Sequence, residues 1–433
     1  MLYSTHQLLL LIVIFFSLFC SSFFILTFLH KQKRMGNPKL KKNYTVSIII
    51  PAYNEERGIA ETIQTALSMD YPKNLLEIIV VENNSTDKTF QIAKKFEKKN
   101  NVKVFHLDKA GKGNALNFAL TKAKGEIVIT MDADSYVRDK SLLKKILSHF
   151  SDKDIVSVAP AIRPTTPETY AQRIQYIEYV FGIFLRKIFS LLDSVYVTPG
   201  AFTAYRKSIF KKIGNFDQNT ITEDFEMTLR IQTHHFRIAN VIDAMVYTRS
   251  PRTFKALMAQ RVRWFLGFID CLIMHKKLFN KKYGYLGMFI LPSAIISITL
   301  SLVLFLYTLA KAIISITNFL IAVSPAHLYN LLKFNLLNIK FDIFFYDIDP
   351  IAFVVFALLG LGVFIFFSAR KYSKDDEKFS ISFFVYLFAY VFVFASWWIK
   401  TILYKLVGKD VRFGGVVWNN SMLHMVRHKL RNI

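Results

Sequence analysis

EIVITMDADSYV, residues 126–137, is the stretch that decides the fold. Ile127, Val128, Ile129, Met131 and Ala133 bracket a single Thr130. An apolar run this short reads as a buried strand of a parallel sheet. It leads straight into Asp132 and Asp134. In open α/β sheets, ligands bind beyond the carboxyl ends of the strands. Two carboxylates one residue apart at such an end suit a hard divalent cation, which prefers oxygen ligands. The plainer alternative is a pair of solvated turn aspartates.

Working outward, the flanking sequence repeats the pattern. Residues 45–50 (TVSIII) predict a first strand, ended by Pro51-Ala52-Tyr53-Asn54-Glu55. Helical spacing follows over 56–69. Residues 75–81 (LLEIIVV) predict a second strand, ended by the polar turn 82–87, ENNSTD. Residues 102–107 predict a third strand, alternating and therefore near an edge. A short helix is expected over 112–122. Strands alternating with helices imply right-handed crossovers and a mostly parallel sheet covered on both faces. Parallel strands end on one side, so Tyr53 and Glu55, Glu82, and Asp132 with Asp134 converge. The chain has neither G-x-G-x-x-G after its first strand nor G-x-x-x-x-G-K-[ST], which disfavours a dinucleotide fold or a P-loop. Lys112, in KAGKGNAL, opens a helix where it can meet a phosphate, a plain loop being the commoner explanation.

The chain has 433 residues, 53% hydrophobic, with 42 Phe and a mean hydropathy of +0.30. The apolar residues are concentrated. Residues 8–29 are nearly uninterrupted and long enough to cross a bilayer. No basic residue precedes this run, and no small-residue cleavage site follows it, so it reads as a retained anchor rather than a signal peptide. The formal charge is +25. The basic residues sit beside the apolar runs, as in KQKR at 31–34, which favours cytoplasmic loops facing anionic lipid over nucleic-acid binding. With two cysteines, Cys20 and Cys271, and Cys20 inside an apolar run, no disulfide framework is expected.

The ordered set PAYNE, VVENNSTD, KAGKGNALN, TMDADS, then Thr222-Glu223-Asp224 and Gln260-Arg261-Val262-Arg263-Trp264, resembles the inverting family 2 glycosyltransferases of GT-A fold. It looks like the D, DxD, TED and QxxRW set of the membrane-embedded, often processive members: poly-N-acetylglucosamine, cellulose, chitin and hyaluronan synthases. The resemblance covers residues 45–270. It implies an α/β GT-A cytoplasmic domain with a Rossmann-like, mostly parallel sheet, flanked by transmembrane and interfacial helices. It also implies a UDP-sugar donor with Mg²⁺ or Mn²⁺, Asp134 the direct metal ligand and Asp132 on the nucleotide or metal shell. Ala52, Tyr53, Glu55, Glu82 and Lys112 line the donor, with Glu82 in place of the family's usual Asp at the base. Asn83 and Asn84 replace the usual Asp and Gly, and Asn tolerates left-handed backbone.

Asp224 is the expected general base, with Glu223 beside it at the catalytic and acceptor positions. An inverting transfer needs a carboxylate in reach of the acceptor hydroxyl, opposite the leaving UDP. Thr222 as a helix cap, with early acids on the dipole, is the structural alternative, and the two are compatible. Arg263 is expected on the diphosphate, Trp264 against the acceptor sugar and Gln260 positioning both. The alternative for these three is an interfacial helix with arginines at headgroups and Trp in the aromatic belt. Gly200, in TPGAF, allows close sugar approach or serves a turn.

The expected organisation is a transmembrane helix over 1–30, a basic linker over 31–44, the GT-A domain over 45–250 and interfacial helices with QxxRW over 251–283. A transmembrane region of three or four helices follows over 284–406, then a basic tail over 407–433. Two spans are favoured within 286–322, joined near Lys311, for five in total. Residues 170–192 carry an apolar stripe with Arg173, Arg186 and Lys187 on or beside the polar face, which reads as a core helix or one lying in the membrane surface. The expected activity is transfer to a growing β-linked polysaccharide at the cell membrane. The alternatives are single-sugar transfer to a lipid-linked acceptor, a sugar-nucleotide-binding subunit of a synthase, and a transporter. Membrane lipids and accessory synthase subunits are the expected partners, with no nucleic acid.

Overall fold

The computed structural model describes residues 5–98, 101–322, 350–375 and 382–418. The chain divides into two compact units, residues 24–293 with 365–433, and residues 1–23 with 294–364. The first holds an eight-stranded sheet: β1 (Val46–Ala52), β2 (Leu76–Glu82), β3 (Val102–His106), β4 (Ile127–Met131), β5 (Ser135–Val137), β6 (Ile155–Pro164), β7 (Phe202–Arg206) and β8 (Arg237–Thr248). Their spatial order is β3-β2-β1-β4-β7-β6-β8-β5.

β1 is parallel to β2 and to β4, and β2 to β3. Every residue of β1 and β4 is buried, on both faces of the pleat. That is the condition a continuous Ile/Val run satisfies. Full burial of each isoleucine contributes about 1.5–3 kcal/mol. The four parallel strands deliver Ala52, Glu82, His106 and Met131 to one edge. β7 runs antiparallel to β4, pairing Phe202 with Met131. The residues entering β7 therefore reach the same edge, where the Asp132 N–H donates to the Ala201 carbonyl at 3.1 Å. β5 pairs antiparallel with the end of β8, Ser135 opposite Thr248.

The helices in chain order are α1 (Thr5–Lys31), α2 (Ile59–Ser68), α3 (Thr89–Lys94), α4 (Lys112–Lys122), α5 (Leu142–Ser148), α6 (Tyr170–Leu191), α7 (Ile209–Ile213), α8 (Glu223–Thr233), α9 (Phe254–Met274), α10 (Leu291–Ala322), α11 (Pro350–Ser373) and α12 (Ser382–Val407). A hairpin, β9 (Val411–Phe413) and β10 (Val416–Trp418), follows α12.

Among the described residues, four stretches are long and apolar enough to cross a membrane: Gln7–Arg34, Leu286–Ile321, Phe353–Ser373 and Tyr390–Val407. The two short spans expected within 286–322 are instead one continuous helix, entered through a π-turn at Leu286–Ile290. The reason is local. Residues 293–322 contain neither Gly nor Pro, and a lone Lys311 does not break a helix. The mixed loop expected over 324–349 lies outside the described residues.

α6 does not present Lys187 to a surface. Lys187 is 2% exposed and donates to the Asn240 carbonyl at 3.0 Å. The helix packs on β6 and β8 on one side and on α12 on another, so Lys187 is enclosed along with the apolar stripe. A capping box at Thr169 and Gln172 starts it. α9, expected to lie at the membrane surface, packs on α12 through the stacked rings of Phe265 and Trp398, 4.4 Å apart. The 407–433 tail is not simply a basic extension, because its residues 411–418 form the β9–β10 hairpin.

Candidate functional site

The β1 end turns at Asn54, whose φ of +53° is one Asn tolerates. The Asn54 Oδ1 accepts the Thr86 N–H at 2.8 Å, and the Asn54 N–H donates to Ser85 Oγ at 3.0 Å. The β1 and β2 turns are thus stitched together. Asn84 adopts φ +61°, as its replacement of glycine requires. Glu82 is 1% exposed. Its carboxylate accepts the Ser85 N–H and contacts His106 Nδ1. Both oxygens are therefore engaged by its own turn and by the neighbouring strand. Next to it the Asn83 Oδ1 is buried with no partner, an acceptor left open at this end of the site.

α2 can approach the acidic turn because it begins beside Gly58. A Cβ there would lie 2.8 Å from the Ala133 carbonyl and 3.3 Å from Asp134 Cα. Thr62 Oγ1 donates to the same Ala133 carbonyl at 2.8 Å. The turn is held from outside, so Asp132 and Asp134 project from a fixed backbone. Burial, then Asp132, raises Asp134 to about 6. Burial, then Asp134 and Asp132, raises Glu55 to about 7.

Lys112, at the start of α4, stands between two acidic groups. Its Nζ lies 2.6 Å from Asp132 Oδ1 and 2.9 Å from Glu223 Oε1. Burial alone would lower its pKa, but Asp132, Glu223 and Asp224 together raise it above the ordinary lysine value. The acidic turn after β4 and the first turn of α8 are joined through this one cation. Burial, then Glu223, raises Asp224 to about 6. Gly200 lies against both groups: a Cβ there would sit 2.8 Å from Asp224 Oδ2 and 2.9 Å from Lys112 Nζ. Close approach is the reason for glycine here.

Thr222 does not cap α8, since its side chain accepts no hydrogen bond from the first turn. It points instead at α9, with Oγ1 3.7 Å from Cys271 Sγ. A Cβ on Gly267 would collide with it at 2.2 Å. The first turn of α8 is therefore fixed by interlocking with α9.

α9 also brings Arg263, whose guanidinium lies 3.7 Å from the centre of the Phe413 ring. Burial lowers the Arg263 pKa, opposed by Glu223, Asp224 and Asp132. Trp264 carries the Arg261 guanidinium 4.3 Å over its ring. The Gln260 Oε1 is buried and unpartnered. Arg261, 1% exposed, pairs with Glu178 at 2.6 Å and lies over Trp397. It is the structural arginine of QRVRW, while Arg263 is the one among the site's charges.

Ala52, Tyr53, Glu55, Asp132, Asp134, Lys112, Gly200, Glu223, Asp224 and Arg263 are brought to one edge. The sequence reading missed the hairpin. A Cβ on Gly415 would touch the Tyr53 ring at 3.0 Å, and one on Gly111 would touch Val416 at 3.3 Å. The Gly414-Gly415 pair, at φ +57° and +76°, was the available turn signal.

Among the described residues no three His, Cys, Asp or Glu side chains form a ready metal cage. Asp132 and Asp134 still fit a divalent cation. Burial, with Asp132 beside it, raises Asp134, so a cation would relieve both, and phosphate and water oxygens are the usual remaining ligands at such sites. This donor set suits Mg²⁺ or Mn²⁺ better than a soft metal.

Residues 47–214 match the model described as Glycosyl transferase family 2. A poly-β-1,6-N-acetyl-D-glucosamine synthase of Staphylococcus epidermidis is 28% identical over 379 residues, 84% of this chain and 86% of the relative. The probable glycosyltransferase YdaM of Bacillus subtilis is 31% identical over 245 residues, 53% of this chain and 57% of its own length. A mannosyltransferase from Pyrobaculum calidifontis, solved with GDP-Man and Mn²⁺, is similar in fold at a TM-score of 0.56 and 19% identity, covering 86% of this chain and all of that one.

Proposed function

We propose, from the premise that this chain carries a glycosyl transferase family 2 domain and is a glycosyltransferase, that it is a membrane-bound inverting enzyme. It moves a sugar from a UDP-sugar to a growing β-linked polysaccharide, with its catalytic domain cytoplasmic. The observation that carries this reading is the Lys112 bridge, which ties Asp132 and Glu223 to one ammonium group. It supports a donor end and an acceptor end held in fixed register. The synthase name of the relative spanning most of the chain supports the polymer and N-acetylglucosamine as the sugar.

In this mechanism the nucleotide lies along the ends of β1 and β2, between Tyr53 and the Glu82 turn. Asn83 Oδ1 accepts the imide N–H of the base. Asp134, with Asp132 alongside, would hold Mg²⁺ or Mn²⁺; the bound cation supplies positive charge to the diphosphate. Arg263 adds a planar fork of donors to the same phosphates. Asp224 accepts the proton of the acceptor hydroxyl. The acceptor oxygen forms its bond to the anomeric carbon from the face opposite UDP. The anomeric C–O bond breaks, its electron pair leaves on the β-phosphate oxygen of UDP, and configuration inverts. Glu223 and Gly200 border the acceptor oxygen, and Trp264 offers a ring to the acceptor sugar.

The test is UDP release by the full-length protein in detergent, with Mn²⁺ and a panel of UDP-sugars. UDP release is expected with one donor, and Asp224→Asn is expected to lose about 10²–10⁴ of that rate while UDP still binds. No release with any donor removes the enzyme reading, and a near wild-type Asp224→Asn removes the base.

A further inference from the structure

Arg261 has no part in the mechanism above, yet it lies buried where three helices meet. Its Nη2 donates to Glu178 Oε2 of α6 at 2.6 Å. Its guanidinium lies 5.2 Å from the centre of the Trp397 ring of α12. It lies 4.3 Å from the centre of the Trp264 ring, one turn on along α9. Trp397 is fully enclosed and meets Tyr390 edge-on at 6.0 Å. Trp264 is only partly buried. One flat cation therefore ties a partly open ring to buried partners on two other helices.

Stability alone does not explain an arginine here. The apolar cluster that includes Trp397 also holds Ala171 of α6 and Leu257 of α9, and an apolar side chain would extend it. The buried Arg261 Nε has no hydrogen-bond partner, a cost that an apolar residue avoids. Exchanging a buried ion pair for apolar residues is often neutral or stabilising. What an apolar residue does not do is fix the plane of the ring beside it. A guanidinium is flat and stacks on aromatic faces, and Glu178 holds this one from a separate helix. An indole on a single helix has several staggered rotamers. With Arg261 across one face, Trp264 keeps one of them and presents its exposed part in one orientation.

We infer that Arg261 is a positioning residue for the acceptor: clamped by Glu178 and Trp397, it holds the Trp264 ring in the plane against which the acceptor sugar stacks. The inference rests on the reading of Trp264 as the ring offered to the acceptor, and adds what sets that ring. It separates the two arginines of QRVRW by substrate. Arg263 serves the diphosphate of the donor, and Arg261 serves the acceptor through Trp264.

The full-length protein in detergent is assayed with UDP-N-acetylglucosamine, Mn²⁺ and a β-1,6-linked N-acetylglucosamine pentasaccharide, each substrate varied in turn. Arg261→Lys keeps a charge for Glu178 and loses the flat group. Its pentasaccharide KM is expected to rise about tenfold, and its donor KM to stay within about twofold. Trp264→Ala should raise the pentasaccharide KM as well. Adding Arg261→Lys to Trp264→Ala should then change nothing further, because residues that act through one another are not additive. Arg261→Met with Glu178→Met removes both charges together, which a fold tolerates better than an unpaired one. It should raise the pentasaccharide KM as Arg261→Lys does.

A pentasaccharide KM unchanged in both Arg261 variants overturns the inference. So do equal rises in donor and pentasaccharide KM, or full additivity of Arg261→Lys with Trp264→Ala, each of which marks a purely structural arginine. A wild-type pentasaccharide KM in Trp264→Ala overturns it too. Failure of wild type to release UDP from any donor removes the functional reading and this inference together, whereas the other outcomes leave that reading standing.

Discussion

Asp224 and Asp134 are held under electrostatic stress in the free protein. Burial and a neighbouring carboxylate raise each to about 6, above the ordinary aspartate value of about 3.9. In the proposed mechanism both work in the ionised form, Asp224 to take a proton and Asp134 to hold a cation. Transfer should therefore be full above pH 7 and fall as pH drops through about 6, with a slope steeper than one proton if both titrate together. A pH profile of transfer under saturating donor checks this; a profile flat to pH 5 contradicts it. The sign for stability is opposite. A carboxylate with a raised folded-state pKa contributes stability below its unfolded value and loses it as pH rises through the folded one. Asp134→Asn should then raise the melting temperature of the ligand-free protein while removing cation-dependent UDP binding. Thermal melts beside UDP titrations read the two effects separately, and a lower melting temperature would show Asp134 to be structural.

At the scale of elements, the site depends on how α8, α9 and the β9–β10 hairpin meet. Gly267 lets α9 close on Thr222, so Gly267→Ala must push the helices apart. Overpacking of this kind costs about 1–3 kcal/mol. It should lower both stability and transfer, because Asp224 moves with α8. Thr222→Gly in the same chain should recover part of each, measured by melting temperature and rate; no recovery would place the clash elsewhere. Phe413→Ala removes the ring beneath Arg263, a contact of about 0.5–2 kcal/mol. Its effect should appear in donor KM rather than in melting temperature, and an unchanged donor KM would remove the hairpin from the site.

These elements also show where sequence reading stops. β4 was legible to the residue because Ile127–Met131 is a continuous apolar run closed by two acids. The position of Asn84 in left-handed space was legible because few other residues tolerate it. Capping is the structural alternative that Thr222 offers because local rules see only the following turn, whereas its partner is Cys271, far along the chain. Lys187 was read as polar-face because helical periodicity cannot show that a sheet and α12 enclose both sides. β7, a five-residue strand with two polar members, gave no run to detect. The hairpin gave only its two glycines, masked by the basic residues around it.

For the whole molecule, charge and apolar runs separate cleanly along the sequence. Among the described residues four stretches are long and apolar enough to cross a membrane, and the unit that holds the sheet contains α12. The hairpin after Val407 reaches Tyr53 and Arg263, so the carboxyl end of α12 lies on the catalytic side. Within the same unit, α9 and α12 share the Phe265–Trp398 stack and the pairing of Lys405 with Asp270. A helix apolar enough to cross a membrane is therefore packed directly on the helix that carries Arg263.

The most direct measurement is the product itself. The full-length protein in nanodiscs, given UDP-N-acetylglucosamine, Mn²⁺ and a short β-linked acceptor, should release UDP and lengthen the acceptor by many sugars, every new linkage β by NMR. A product one sugar longer, an α linkage, or sugar found only on a lipid would contradict the account.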